Sequence, residues 1–146
     1  MLSVKLICVG KLKESFWTEA CKEYEKRLST LCRMEILQLE EEPDRPGSLA
    51  KEAEKIRAAI PAHHTKIALC VEGKQLSSEG LAKLMGEKTL EGGLCFIIGS
   101  SHGLDETLKK ECPVKKGQTI PQALIAFAMS SRANLTMVPM QDFLEL

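Results

Sequence analysis

The run Leu94–Ile98 restricts the possible folds of this chain more than any other feature. It reads L-C-F-I-I, carries no polar side chain, and leads directly into Gly99. A strand that is apolar on both faces is typical of the interior of a parallel sheet, where helices cover both sides. The run therefore predicts a buried central strand that ends at a glycine turn.

Strand and helix patterns alternate four times along the 146 residues. The predicted strands are Ser3–Val9, Met34–Leu39, Lys66–Val71 and Leu94–Ile98. The predicted helices run from Ser15 to about Ser29, over Ser48–Ile60, from Ser77 or Ser78 to about Lys88, and briefly after Asp105. This alternation predicts an α/β fold with a mostly parallel sheet and flanking helices. With no repeat or linker, residues 1–146 are predicted to form a single domain.

Charge and composition narrow the function classes. Twenty basic residues balance twenty acidic ones, and aromatic residues make up only 4%. A globally basic nucleic-acid binder and a base-stacking surface are therefore disfavoured. No apolar run is long enough to cross a bilayer, so we expect a cytoplasmic protein without membrane contact. The six cysteines form no C-x-x-C pair, which predicts reduced core thiols and no metal site.

The sharpest motif is I-I-G-S-S-H-G-L at Ile97–Leu104. Glycine after a strand lets the backbone approach a ligand closely, and ligands of α/β sheets bind beyond the carboxyl ends of the strands. The motif is neither a dinucleotide fingerprint nor a P-loop, so spacing alone leaves a ligand turn and an ordinary strand-to-helix turn both open. Leu69–Gly73 is a second strand end of this kind.

Histidines and lysines near these strand ends have two interpretations each. His102 is either a ligand contact or proton acceptor, or a solvent-exposed loop residue, and the second is favoured. His63 and His64 follow Pro61 and are expected to be exposed in a loop. Lysines 109, 110, 115 and 116 form a basic cluster that either contacts phosphates or is simply solvated.

Three motifs together resemble a known family. They are V-K-L-I-C-V-G-K-L-K-E-S-F-W with E-Y-E-K-R-L near the start, E-G-K-Q-L-S-S-E-G-L-A at Glu72–Ala82, and F-I-I-G-S-S-H-G-L at Phe96–Leu104. Over about Met1–Lys110 the chain is similar to the bacterial ribosomal RNA large-subunit methyltransferases H. These are pseudouridine N3-methyltransferases of the SPOUT superfamily.

The resemblance implies a SPOUT-type fold with a C-terminal trefoil knot, a homodimer, and S-adenosylmethionine held in the knot. It implies a pseudouridine of large-subunit (23S) ribosomal RNA as the substrate. Leu69 matches the family's adenosine-contacting leucine, and Gly99 and Gly103 match the first and last glycines of the cofactor turn. The family usually has a second glycine where this chain has Ser100.

Beyond Lys110 the chain departs from the family pattern. Thr119 and Ile120 match part of a T-x-P motif and are expected to contact the cofactor, but Gln122 replaces the family's histidine. Arg132, the only ordinarily charged side chain between Gln118 and Gln141, is expected either to be the catalytic residue, paired with a phosphate or carboxylate, or to lie at a solvent edge. The apolar segment Pro121–Val138 is expected to form the dimer interface. Two hypotheses follow: an S-adenosylmethionine-dependent methyltransferase, or a catalytically impaired cofactor- or ribosome-binding protein of the same fold.

Overall fold

The computed structural model describes residues 2–10, 15–30, 32–74, 78–88, 92–100, 102–112 and 114–116. The strands are β1 (Ser3–Val9), β2 (Arg33–Leu39), β3 (His64–Lys74), β4 (Gly93–Ile98) and β5 (Val114–Lys116). The helices are α1 (Ser15–Leu28), α2 (Ser48–Ala59), α3 (Ser78–Lys88) and α4 (Glu106–Glu111). The predicted trefoil knot and dimer segment lie outside the described residues.

The five strands form one sheet in the order β2-β1-β4-β3-β5, and every described pair is parallel. β4 lies in the middle, between β1 and β3. Its residues Leu94–Ile97 are at most 1% exposed, because side chains on both faces of a central parallel strand are covered. The predicted buried central strand is therefore confirmed.

Helices cover both faces of the sheet. On one face α1 and α3 pack through Tyr24, Leu28 and Met85 against β-strand residues that include Phe96. On the other face Ile56 of α2 belongs to a second cluster, which also takes in residues of α4 and of β1, β3 and β4. The expected α/β architecture with flanking helices is confirmed. Within the described residues, no helix is both long and apolar enough to cross a membrane.

Several boundaries differ from the sequence predictions. β3 begins at His64 rather than Lys66, because its backbone pairs with β4 from the register pair His64–Gly93 onward. It continues past Gly73 to Lys74, which pairs with Lys116 of β5. The expectation of an exposed loop is wrong for His64, which is half-buried with Ser3 Oγ 3.3 Å from Nε2. α2 ends at Ala59, and the short edge strand β5 was not predicted.

Asp105 caps the N-terminus of α4, where the sequence predicts that a short helix begins. Its carboxylate accepts hydrogen bonds from the backbone N–H groups of Thr107, at 3.1 Å, and Leu108, at 3.2 Å. These donors have no partner inside the helix, so Asp105→Ala should lower the free energy of unfolding by about 1 kcal/mol, and Asp105→Asn by less. Urea denaturation measures both values. An alanine variant as stable as the parent would contradict this capping role.

The described cysteine thiols are buried and free, namely Cys8, Cys21, Cys32, Cys95 and Cys112. Burial raises the pKa of Cys8 from 9.0 to about 11, and that of Cys95 to about 12. A rise of two units lowers the reactive thiolate fraction near pH 8 about a hundredfold. We therefore expect iodoacetamide to modify Cys8 and Cys95 at least about a hundredfold more slowly in the native chain than in guanidinium. Peptide mass spectrometry measures this, and equal rates would refute it.

Candidate functional site

The carboxyl ends of three neighbouring strands meet at one edge of the sheet. Ile98, the last residue of β4, is in register with Cys8 of β1 on one side and with Leu69 of β3 on the other. The two glycine-bearing strand ends predicted from the sequence therefore lie beside each other. Parallel α/β sheets bind ligands at this kind of edge.

The turn that follows β4 folds back on itself. The Gly103 N–H donates a hydrogen bond of 2.9 Å to the Ser100 carbonyl oxygen. A Cβ atom on Gly99 would lie against the Gly103 carbonyl, far inside contact distance, and 2.9 Å from Cγ of Leu104. Glycine is thus required at position 99 by the turn's own backbone, a reason that differs from the close approach of a ligand expected from the sequence.

Gly103 has the property that a ligand-contacting glycine needs. Its φ of +88° belongs to the left-handed region that favours glycine. A Cβ built on Gly103 would meet nothing within 4 Å, and the residue is exposed. Among the described residues, open space therefore lies beside its backbone, and the left-handed φ is the reason that favours glycine here.

The side chain of Leu69 packs in the core, and its backbone lies in the sheet beside the last residue of β4. It is 4% exposed and packs in the cluster that contains Phe96. Its main chain pairs with β4 on one side and β5 on the other, and the pairing with β5 shifts register after it. Leu69 is therefore an interior residue of β3, the last one that pairs with β4, and not the strand end that the sequence predicts.

Glu52 was missed by the sequence analysis. It lies on α2, is only 3% exposed, and is the one buried charged side chain among the described residues. Oε1 accepts a 2.9 Å hydrogen bond from Ser100 Oγ, and Oε2 accepts a 2.8 Å bond from the backbone N–H of Glu42. Its position four residues before the buried Ile56 was the available signal, since i and i+4 share a helix face.

A second contact of α2 reaches the far side of the turn. Arg57 donates from Nε to both carboxylate oxygens of Glu111, at 3.1 and 3.0 Å, and its Nη2 lies 3.9 Å from Asp105. The hydrogen bond from Arg57 lowers the pKa of the Glu111 carboxyl. α2 therefore contacts this part of the chain at two places. Glu52 accepts a hydrogen bond from Ser100 within the turn, and Arg57 binds carboxylates that follow the turn.

Exposed charges surround the turn. His102 is exposed, as the favoured interpretation expects, and its Nε2 lies 3.8 Å from Oδ2 of Asp44 in the loop after β2. In the same loop, the hydrogen bond from Lys55 of α2 lowers the pKa of Glu42. Lys109 pairs with Glu106 at 3.0 Å. In the part of the chain that the structure describes, no three His, Cys, Asp or Glu residues are grouped to hold a metal ion.

The described residues include three of the six predicted site residues. The fold brings Leu69, Gly99 and Gly103 together at the carboxyl edge of the sheet. The predicted cofactor contacts Thr119 and Ile120 and the predicted catalytic Arg132 lie outside the described residues.

Comparison with known proteins identifies relatives over most of the chain. A family model described as "Predicted SPOUT methyltransferase" matches residues 2–116. The chain is 42% identical over 118 residues to "Ribosomal RNA large subunit methyltransferase H" of Streptococcus equi subsp. zooepidemicus, covering 74% of each chain. It is 37% identical over 144 residues to the protein of that name from Streptococcus pyogenes serotype M5, covering 90% of this chain and 91% of the relative. Nine-tenths of this chain exceeds the segment that the family model matches, so that second similarity extends past residue 116.

Proposed function

Because the chain belongs to the SPOUT methyltransferase family, we propose that it transfers a methyl group from S-adenosylmethionine to N3 of a pseudouridine in large-subunit (23S) ribosomal RNA. The observation that carries the proposal is the turn after β4. In this turn Gly103 is exposed, has a φ in the left-handed region and borders open space. The turn itself lies at the carboxyl edge of a parallel sheet. The names of the relatives, which specify large-subunit ribosomal RNA, support the substrate.

The cofactor is proposed to bind along this edge. The backbone around Gly103 and the part of β3 at Leu69 would hold it. Gly99 would allow the turn to stay closed. Thr119 and Ile120 are proposed as further contacts on the grounds of the family motif alone. When bound, S-adenosylmethionine supplies an electrophilic methyl group on its sulfonium. The chain excludes water and fixes orientation, and such positioning can lower a barrier by about 7 to 11 kcal/mol.

The substrate would be recognised without strong overall attraction. The chain has no net charge, so affinity for RNA depends on local contacts and on the shape of the ribosome. Arg132 is proposed as the catalytic residue because a guanidinium in an apolar stretch requires an anionic partner, such as a phosphate or carboxylate. An enzyme that acts on ribosomes would work in the cytoplasm.

A homodimer and a C-terminal trefoil knot complete the proposal. The segment Pro121–Val138 carries one charged side chain, Arg132, and would expose too much apolar surface on a monomer. Sedimentation at micromolar concentration should give about twice the chain mass of 16.1 kDa. A clean monomer at that concentration would remove the dimer from the proposal.

A second candidate function is favoured by the divergent C-terminal segment. Gln122 stands where the family pattern has a histidine. The loss of groups that position a reacting atom commonly costs about a hundredfold in rate for each ångström of misplacement. A cofactor- or ribosome-binding protein with impaired catalysis would therefore also have this sequence.

Two measurements test the proposal and separate the candidates. Isothermal titration with S-adenosylmethionine should give saturable binding for the enzyme and for an impaired cofactor-binding protein. No binding would refute the enzyme and the cofactor-binding protein and would favour a protein that only binds ribosomes. Single-turnover methyl transfer to ribosomes, followed by mass spectrometry of the nucleosides, should then find 3-methylpseudouridine if the chain is the enzyme. Ribosomes whose target position is uridine instead of pseudouridine are the matched control and should stay unmethylated. Binding without transfer would favour the impaired protein.

A further inference from the structure

Glu52 is a costly residue to bury at its position. A carboxylate removed from water is tolerated when hydrogen bonds satisfy its oxygens, and here each oxygen has one donor, Ser100 Oγ or the Glu42 backbone N–H. Its neighbours on the buried face of α2, Ala53 and Ile56, are apolar. Replacing a buried charge by a well-packed apolar residue is often neutral or stabilising, so a contribution to stability does not account for the carboxylate.

The carboxylate joins three segments of the chain. Ser100 is the residue after Gly99 in the turn, Glu42 lies in the loop between β2 and α2, and Glu52 itself belongs to α2. The Ser100 carbonyl accepts the hydrogen bond from Gly103 N–H. A displacement of Ser100 would therefore move Gly103, whose backbone borders the open space.

The chemistry of the contact is directional. An ionised carboxylate only accepts hydrogen bonds, so it requires both the hydroxyl of Ser100 and the N–H of Glu42 to point toward α2. Hydrogen bonds to charged groups are shorter and stronger than those between neutral groups. The bond from Ser100 to the Glu52 carboxylate can therefore hold the turn in one conformation. The Arg57 contacts with Asp105 and Glu111 hold the chain after the turn to the same helix.

We propose that Glu52 is a positioning residue for the cofactor site: it holds Ser100, and through Ser100 the Gly103 backbone, in the arrangement that binds S-adenosylmethionine. This inference rests on the proposed function, since it assigns the cofactor to the turn. Glu52 does not touch the cofactor in this role. Its effect is transmitted by the Ser100 hydroxyl.

The test compares three variants of the full chain by isothermal titration with S-adenosylmethionine. Glu52→Met keeps the length of the side chain and removes both acceptors. Glu52→Gln keeps an acceptor for Glu42 N–H and a donor for Ser100 Oγ, so it is the conservative rescue. Ile56→Val is the matched control, because it destabilises the same buried face of α2 and leaves both hydrogen bonds of Glu52 in place.

We expect Glu52→Met to weaken binding about tenfold or more, the usual effect of losing hydrogen bonds to a charged group. Glu52→Gln should bind within about threefold of the parent and Ile56→Val within about twofold, even though Ile56→Val melts at a lower temperature. A merely structural role would instead make affinity follow the melting temperature across all three variants. That result, or parental affinity in Glu52→Met, would overturn the inference.

Ser100→Ala gives an independent route if Glu52→Met does not fold. It removes one of the two donors, so it should also weaken binding, by about threefold to tenfold. Combined with Glu52→Met it should add almost nothing, because both changes break the same contact. Full additivity of the two effects, or parental affinity in Ser100→Ala, would overturn the inference.

The parent chain separates this inference from the proposed function. If the parent fails to bind S-adenosylmethionine, the proposed function fails and the assignment of Glu52 to a cofactor site fails with it. Amide hydrogen exchange at Gly103 then still shows whether Glu52 orders the turn, because faster exchange in Glu52→Met than in Ile56→Val requires no ligand. If the parent binds and Glu52→Met binds as tightly as the parent, the proposed function stands and the inference alone is refuted.

Discussion

Gly99→Val should abolish measurable binding of S-adenosylmethionine and lower the melting temperature of the chain as well. The first side-chain atom would collide with the carbonyl of Gly103, and the two further methyl groups of valine add to the crowding near Leu104. Overpacking of this kind costs about 1 to 3 kcal/mol or more, and the backbone that must move is the backbone proposed to hold the cofactor. We expect affinity to fall at least about a hundredfold. Titration calorimetry and thermal denaturation of the same samples measure the two effects.

Gly86→Ala is the matched control for that substitution. Gly86 lies in α3, away from the turn, and a Cβ there would meet nothing within 4 Å. Because alanine favours a helix over glycine by about 1 kcal/mol, this variant should be as stable as the parent or more so, with unchanged affinity. A Gly99→Val chain that lost affinity yet melted with the parent would contradict the internal collision and favour direct ligand contact as the reason for glycine.

Phe96→Ala should have the largest effect on stability. Phe96 is 1% exposed in the central strand β4 and packs against the cluster formed with α1 and α3. Removing a buried aromatic ring costs about 3 to 5 kcal/mol, a large share of the roughly 5 to 15 kcal/mol that stabilises a typical domain. Since β4 leads directly into the glycine turn, cofactor binding should weaken along with folding. Urea denaturation followed by circular dichroism measures the loss.

Ile36→Val on the outer strand β2 is the control for this second prediction. Ile36 is half-buried and packs at the edge of the same cluster, so the loss of one methylene should cost only about 0.5 to 1.5 kcal/mol. Equal losses from Phe96→Ala and Ile36→Val would show that the centre of the sheet does not dominate its stability.

The local pattern of the chain was sufficient to predict most elements. Strand β1 was predicted with its observed bounds, and the Asp105 cap and the buried run in β4 were also predicted correctly, because each depends on neighbouring residues alone. A hydrophobic period, a capping side chain and an apolar run can each be recognised from a few consecutive residues. The ends of β3 were predicted poorly, since its extension back to His64 depends on pairing with β4, about thirty residues later in the chain.

The candidate site divides in the same way. The glycine turn after β4 was found from the sequence, because a strand that stops at glycine is a local signal, whereas β3 continues past Leu69 and Gly73 to Lys74. The turn and Leu69 lie at the same edge because the strand order places β4 between β1 and β3. The sequence did not predict this order, since several strand orders are compatible with the same alternation of strands and helices. Helical spacing places Glu52, unlike the exposed Glu54, on the same face of α2 as Ile56, but the hydrogen bond of Glu52 with Ser100 depends on how α2 packs on the sheet.

Short-range patterns and motifs were enough to predict the α/β class, the place of the turn and the resemblance to a methyltransferase family. The folded structure was needed to show that Gly99 is required by the turn's own carbonyl and that Gly103 borders open space. It also decided that a buried carboxylate on α2 holds Ser100. The turn's internal contacts depend on backbone angles that the residue types alone do not specify. The bond between Glu52 and Ser100 joins residues 48 positions apart, and it exists only once α2 packs on the sheet.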